Sequence, residues 1–262
     1  MCLLVLAWLS HPGYRLVIAS NRDEFHDRPA APLDWWSDAP DILAGRDLRA
    51  GGTWLGVSRA GRFGLLTNFR DAEPAAGGTT AAAAPSRGGL VPEFLAGDAP
   101  PASYLDGLRG RASQFAGFSL LVGDHGGLHY YSNVGDAPPR ALPPGIYGLS
   151  NHSLDAPWPK LVRTRERFAA VLGSDEPSVA RLFEVLGDAE PAAETPSTGS
   201  GLPPELERAL SAPFVRHERY GTRCSTVVLA GRDGRTVVFE RRFDVAGGQT
   251  GATRVGFRDA AA

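Results

Sequence analysis

A cysteine at position 2 is the first residue of this sequence that could do covalent chemistry. Met1 is removable when the next residue is small, and cysteine is small. The processed chain would then begin with a residue carrying both a thiol and a free α-amine. The amine titrates at roughly 7.7–8.0 and the thiol at about 8.5. One residue thus supplies a nucleophile and the base that activates it. The plainer alternative is that Cys2 is a small apolar residue that happens to come early.

Other polar residues fall where apolar runs end. Asn21-Arg22-Asp23-Glu24 follows the apolar segment Arg15–Ser20. An arginine near a thiol stabilises thiolate, and a carboxylate orients an amine; alternatively the charged run caps a loop. Asn68 closes Leu65-Leu66-Thr67, and Asn151 closes Gly148-Leu149-Ser150. Asparagine amides donate to a developing oxyanion, though asparagine at a strand end also makes ordinary turn bonds. Arg223 opens the apolar stretch around Val227, where it could pair with a carboxylate. The six histidines show no metal-ligand spacing. No Walker loop, no Gly-x-Gly-x-x-Gly after a strand and no Gly-x-Ser-x-Gly elbow occurs.

The elements that must position these residues are strands at both ends of the sequence and helices between. Cys2–Leu9 and Arg15–Ser20 read as a hairpin around His11-Pro12-Gly13. That hairpin brings the end of its second strand near Cys2. Asp27–Asp41, with three prolines and Trp35-Trp36, reads as a loop, and Gly52–Ser58 with Arg62–Asn68 as a second hairpin. Residues 71–85 read as a surface loop. Helices are expected from Ser86 to Leu95, from Ala102 to Phe115, from near Trp158 through Leu172 and over Ser178–Leu186. On the third, Leu161, Arg165, Phe168, Ala169 and Leu172 share a face. Strands return at Gly117–Val122 and Leu128–Asn133, and again at Thr222–Leu229 and Arg235–Phe243. Residues 188–204 read as loop. This order is not the alternation of a parallel doubly wound sheet. It suits antiparallel sheets with helices outside them, in one domain spanning 1–262.

Composition narrows the class. The sequence has 262 residues, 43% hydrophobic, enough for a sizeable core. A net charge of −2 disfavours nucleic acid as a partner. Cys2–Leu9 lacks the basic flank of a secretory signal and is too short to span a bilayer, so a soluble cytoplasmic protein is expected. Two cysteines make no disulfide framework.

These blocks resemble a known family. Met-Cys at the start, Asn21-Arg22-Asp23-Glu24, Gly52-Thr53-Trp54-Leu55-Gly56, Thr67-Asn68-Phe69-Arg70, Ser86-Arg87-Gly88, Gly148-Leu149-Ser150-Asn151, Trp158-Pro159-Lys160 and Tyr220-Gly221-Thr222-Arg223 are similar to the NRDE, or transport and Golgi organisation protein 2, family. The resemblance implies an α+β, four-layer αββα fold of the N-terminal nucleophile hydrolase type. In it, two stacked, mainly antiparallel sheets lie between helical layers. A more distant likeness to bile salt hydrolases and penicillin V acylases implies roles. Cys2 resembles their nucleophile, Asp23 the amine-orienting carboxylate, Asn68 and Asn151 the oxyanion asparagines, and Arg223 their late arginine. In those hydrolases the early arginine and aspartate are two residues apart, whereas Arg22 and Asp23 are adjacent. Strand neighbours point to opposite faces, so both can face Cys2 only if the strand ends or bulges there. The implied activity is cleavage of a linear, non-peptide amide through an acyl-enzyme, with no cofactor. The alternative implied by the family is haem, acyl-CoA or lipid binding without catalysis. The sequence has no Cys-Pro haem motif and no c-type attachment site.

Overall fold

A computed structural model describes residues 2–69, 85–192 and 203–260. In sequence order the first strands are β1 (Cys2–Trp8), β2 (Tyr14–Phe25), β3 (Ala30–Trp36), β4 (Ala39–Asp47), β5 (Leu55–Ser58) and β6 (Phe63–Asn68). Helices α1 (Leu90–Ala96) and α2 (Pro101–Arg109) follow, then strands β7 (Phe118–Gly123), β8 (Leu128–Ser132), β9 (Arg140–Leu142) and β10 (Gly145–Leu149). The rest is α3 (Pro159–Leu172), α4 (Val179–Leu186), α5 (Pro204–Leu210), β11 (Tyr220–Gly231), β12 (Arg235–Phe243) and β13 (Gln249–Arg258). The class is α+β, with two antiparallel sheets and helices against each.

The described residues fall into two compact units. The first takes its residues from 2–28, 144–150 and 154–257. It holds a six-stranded sheet in the order β10-β1-β2-β11-β12-β13. Leu3, Val5 and Ala7 alternate with Leu4, Leu6 and Trp8 along β1, and all six are buried. The first set packs with Val17, Ala19, Val227 and Leu229 against Leu161, Phe168 and Val171 of α3 and Leu182, Phe183 and Leu186 of α4. Pro159 starts α3 with its φ already helical. Ser178 caps α4 by accepting from the Arg181 N–H. The buried face of α3 also includes Thr164, Val171 and Lys160, whereas Arg165 turns outward to an ion pair with Asp155 at 2.9 Å.

The second unit takes its residues from 29–143, 151–153 and 258–260. Its seven-stranded sheet runs β3-β4-β5-β6-β7-β8-β9. Leu66, Phe118, Leu120 and Val122 pack with Ile42 and Ala44 against Leu90, Val91 and Phe94 of α1 and Leu105 and Leu108 of α2. The segment 27–41, expected to be loop, contains β3 and the start of β4. Pro32 is accommodated because β3 is an edge strand with a register irregularity between Ala31 and Asp34. Ser86 does not cap through its hydroxyl: a 3₁₀ turn over Arg87–Gly89 precedes α1. The helix expected to reach Phe115 stops at Arg109, followed by a 3₁₀ turn at Ala112–Gln114. Strands β9 and β13 and helix α5 were not anticipated. Most of the expected loop 71–85 and the middle of 188–204 lie outside the described residues. Among the described residues no helix is long and apolar enough to cross a membrane.

Two of the family-like blocks serve this second unit's framework. The Thr53 N–H donates to the Gly88 carbonyl at 3.0 Å. A Cβ placed on Gly52 would overlap the backbone carbonyl group of Gly88. Because the obstacle is backbone, Gly52→Ala should lower unfolding stability by about 1–3 kcal/mol. A shift in the urea midpoint, with an unchanged slope, would register it.

Candidate active site

The hairpin of β1 and β2 pairs Cys2 directly with Arg22. On its other edge β2 pairs Arg22 with Cys224 of β11, and β11 pairs Cys224 with Arg242 of β12. Cross-strand partners share a face, so Cys2, Arg22, Cys224 and Arg242 form one file across four strands. It lies on the sheet face away from α3 and α4. Arg22 is 4% exposed and its guanidinium stands 3.9 Å from the Glu24 carboxylate.

Asp23 belongs to the opposite face. Strand alternation puts it with Asn21, whose amide donates to the carbonyls of Leu186 and Pro213, both at 2.9 Å. β2 neither ends nor bulges at this point. Arg22 and Asp23 therefore take opposite faces: only Arg22 shares the face of the Cys2 thiol. The Asp23 N–H nevertheless donates to that thiol. The Asp23 carboxyl is 1% exposed, and the Thr222 hydroxyl donates to its Oδ1 at 2.7 Å. Tyr220 donates its hydroxyl to the Asp23 carbonyl at 2.6 Å. Burial pushes the Asp23 carboxyl up, against the opposing pull of the amino-terminal charge first, then of the Lys160 charge, the Thr222 bond and Arg22.

The irregularity falls on β11 instead. Thr222 pairs with Asp23 and Cys224 with Arg22, leaving Arg223 as the extra residue of a bulge. Its guanidinium donates to His26 Nδ1 at 2.8 Å, and His26 Nε2–H donates to the His217 carbonyl at 3.0 Å. Accepting on one nitrogen and donating on the other fixes His26 as the neutral Nε2–H tautomer. Arg223 is thus held by a histidine, where the sequence also allowed a carboxylate.

Burial pushes the Cys2 thiol up; the Asp23 charge adds to this, while Arg22 and the Asp23 N–H oppose it. Cys224 is buried, and desolvation together with Glu240 raises its thiol well above the ordinary range. Both thiols are therefore protonated near neutrality unless a base assists.

The two asparagines lie in the second unit. Asn68 ends β6, with its residue exposed. Asn151 has φ 54°, a left-handed backbone that asparagine tolerates better than most residues. Its amide donates to the Asn68 carbonyl at 2.8 Å, so the two meet through the Asn68 backbone. Beside them Phe69 packs on His152, and the Ser119 hydroxyl donates to the His152 carbonyl at 2.9 Å. Sequence reasoning thus missed Thr222, Tyr220 and His26 as partners of the site. Thr222 and Tyr220 carried a signal, standing in the block Tyr220-Gly221-Thr222-Arg223; His26 carried none. Among the described residues, no three His, Cys, Asp or Glu side chains are grouped to hold a metal ion.

Comparison with known proteins supplies a family. The family model described as Transport and Golgi organisation 2 matches residues 1–245. The Transport and Golgi organization protein 2 homolog of Bos taurus is 36% identical over 261 residues, covering 92% of this chain and 92% of its own. The Mus musculus homolog is 34% identical over 263 residues, again covering 92% of each. Among solved structures, a mutant conjugated bile acid hydrolase from Clostridium perfringens is similar at TM-score 0.46 and 8% identity. It covers 97% of this chain and 92% of that one.

The contrast between the two thiols is measurable. Iodoacetamide at pH 7 should label Cys2 at least about tenfold faster than Cys224, because thiolate fraction and access both favour it. In protein retaining Met1, the Cys2 rate should still be rising above about pH 8.5, since its thiol is shifted upward. Peptide mapping after brief alkylation reads both; equal or reversed labelling removes Cys2 as a nucleophile.

Proposed function

The chain belongs to the Transport and Golgi organisation 2 family, and we propose that it acts as an amino-terminal cysteine amidohydrolase on a linear, non-peptide amide. The observation that carries this is the arrangement around the first strand. Cys2 turns its thiol to one face, beside Arg22, and Asp23 turns its carboxylate to the other. The Cys2 backbone nitrogen lies in the plane of the sheet between them. Once Met1 is removed that nitrogen becomes an α-amine, reachable by the thiol from one face and by the carboxylate from the other. The adjacency of Arg22 and Asp23 supports this division of labour.

In the proposed reaction the α-amine takes the thiol proton and Asp23 steadies the resulting ammonium. Arg22 favours the thiolate, offsetting part of the burial that raises it. The thiolate attacks the amide carbonyl, and the oxyanion is assigned to the amides of Asn68 and Asn151 by the family-like order of the motifs. Collapse breaks the C–N bond, the ammonium returns its proton to the leaving amine, and a thioester remains. Water, deprotonated by the same amine, attacks the thioester and releases the acid and the thiol. Arg223, fixed by His26, is assigned to substrate contact.

Intact mass of the purified protein establishes whether Met1 is gone. Cys2→Ser keeps the amine and replaces the thiol with a weaker nucleophile, so turnover on an amide panel should fall by roughly 10³-fold or more, with substrate affinity nearly unchanged. Surviving turnover in that variant would sink the mechanism. Haem and acyl-CoA titrations of the same variant address non-catalytic binding: a loss of haem binding alone would mark sulfur ligation instead. Asn151→Ala should lower kcat by about 10²–10³-fold with a smaller change in KM, as expected for a donor used mainly in the transition state.

A further inference from the structure

Arg223 is a half-buried arginine whose charge is met by no carboxylate: among the described residues its guanidinium has no ion-pair partner and donates to His26 Nδ1 at 2.8 Å. His26 is neutral, because it accepts there while its Nε2–H donates to the His217 carbonyl at 3.0 Å. The histidine therefore orients the guanidinium and leaves its positive charge whole, with further N–H donors on the planar fork. The nearest carboxylate along β2 is engaged elsewhere. Glu24 stands 3.9 Å from both Arg22 and Arg28, and it accepts from the Phe25 N–H at 2.9 Å.

The Arg223–His26 pair lies on the face of the Cys2 thiol. Glu24 follows Arg22 by two residues and shares its face. Gly221 is the cross-strand partner of Glu24, and a Cβ on Gly221 would lie 3.1 Å from His26 Cε1. The His26 ring thus lies over Gly221 on that face, where a side chain would crowd it, and it draws Arg223 to the same side. Strand geometry sets the interval. Arg22 pairs with Cys2, and the step from Arg22 to His26, just past the end of β2, is about 13 Å.

We propose that Arg223 receives a carboxylate at the end of the substrate remote from the scissile amide, and that His26 is the positioning residue that aims it. Guanidinium and carboxylate match edge to edge, one unit charge against another. The fixed Glu24 carboxylate nearby disfavours a group of higher negative charge, such as a phosphate dianion. A carboxylate next to the amide bond would fall short of Arg223. A neutral histidine suits this role where an aspartate does not, because an aspartate would pair with Arg223 itself. The carboxylate site stands on its own contacts; its use on a substrate rests on the amidohydrolase reading.

Calorimetric binding to Met1-processed Cys2→Ser protein tests the site. The probes are the mono-methylamides of dodecanedioic acid and of succinic acid, each as the free acid and as the methyl ester. The long acid should bind at least about tenfold more tightly than its ester, as expected for one charge-assisted pair. The short acid and its ester should bind alike. Adding Arg223→Met should abolish the preference. Adding His26→Asp should abolish it too, since its carboxylate oxygen stands at the same number of bonds from the backbone as Nδ1. The isosteric His26→Asn, a neutral acceptor, should keep the preference and shows that the fold tolerates the site. Equal binding of the long acid and ester, an equal preference in the short pair, or a preference that survives Arg223→Met overturns the site. The same preference in His26→Asp and His26→Asn overturns the role of His26. No turnover is read, so a preference found in a protein that cleaves no amide would fault the amidohydrolase reading alone.

Discussion

The two-residue period of a β-strand governs everything near the amino terminus. β2 runs without interruption from Tyr14 to Phe25, so consecutive side chains alternate between two different environments. Arg22 enters the face that holds Cys2, Cys224 and Arg242. Asp23 enters the face packed by α3 and α4, where the Thr222 hydroxyl meets it. A shift of one residue would exchange these environments, placing a carboxylate beside the thiol and a guanidinium on the face packed by α3 and α4. The buried apolar residues of β2 oppose such a slip, because it would also exchange Val17 and Ala19 with Leu16 and Ile18. The hydrophobic core therefore sets the electrostatics of the site.

That constraint explains why the irregularity at this end falls on β11. With β2 regular around Arg22 and Asp23, the mismatch there is taken up by Arg223, which stands outside the pairing register and escapes the alternation. Its guanidinium leaves the ladder and meets His26. The same bulge lets Thr222 approach the Asp23 carboxyl from the β11 side.

The hairpin of β1 and β2 was legible because two apolar runs flank a short His-Pro-Gly turn, and hairpin geometry alone brings Arg22 to Cys2. The helices α3 and α4 were legible from spacing and from Ser178. β3 and the start of β4 were hidden by prolines whose cost depends on edge position, which is a property of the sheet and not of the segment. The opposed faces of Arg22 and Asp23 were stated by the two-residue period, but strand continuity was needed to apply it. Asn68 and Asn151 were visible as strand-end asparagines, whereas the contact between them uses a backbone carbonyl that composition does not reveal. The bond from Thr222 to Asp23 joins residues 199 positions apart, beyond any local pattern.

The file that places Arg22 between Cys2 and Cys224 also bears on oxidation. Two strand spacings put the cysteine backbones about 10 Å apart, beyond the reach of a disulfide without movement of the sheet. A sulfenic acid formed on Cys2 meets no second thiol of this sheet near enough to capture it. It must be reduced by an external thiol or proceed to the sulfinic state, which ordinary thiols do not reverse. The arrangement that isolates the first thiol for chemistry also denies it the internal disulfide that would protect it from peroxide.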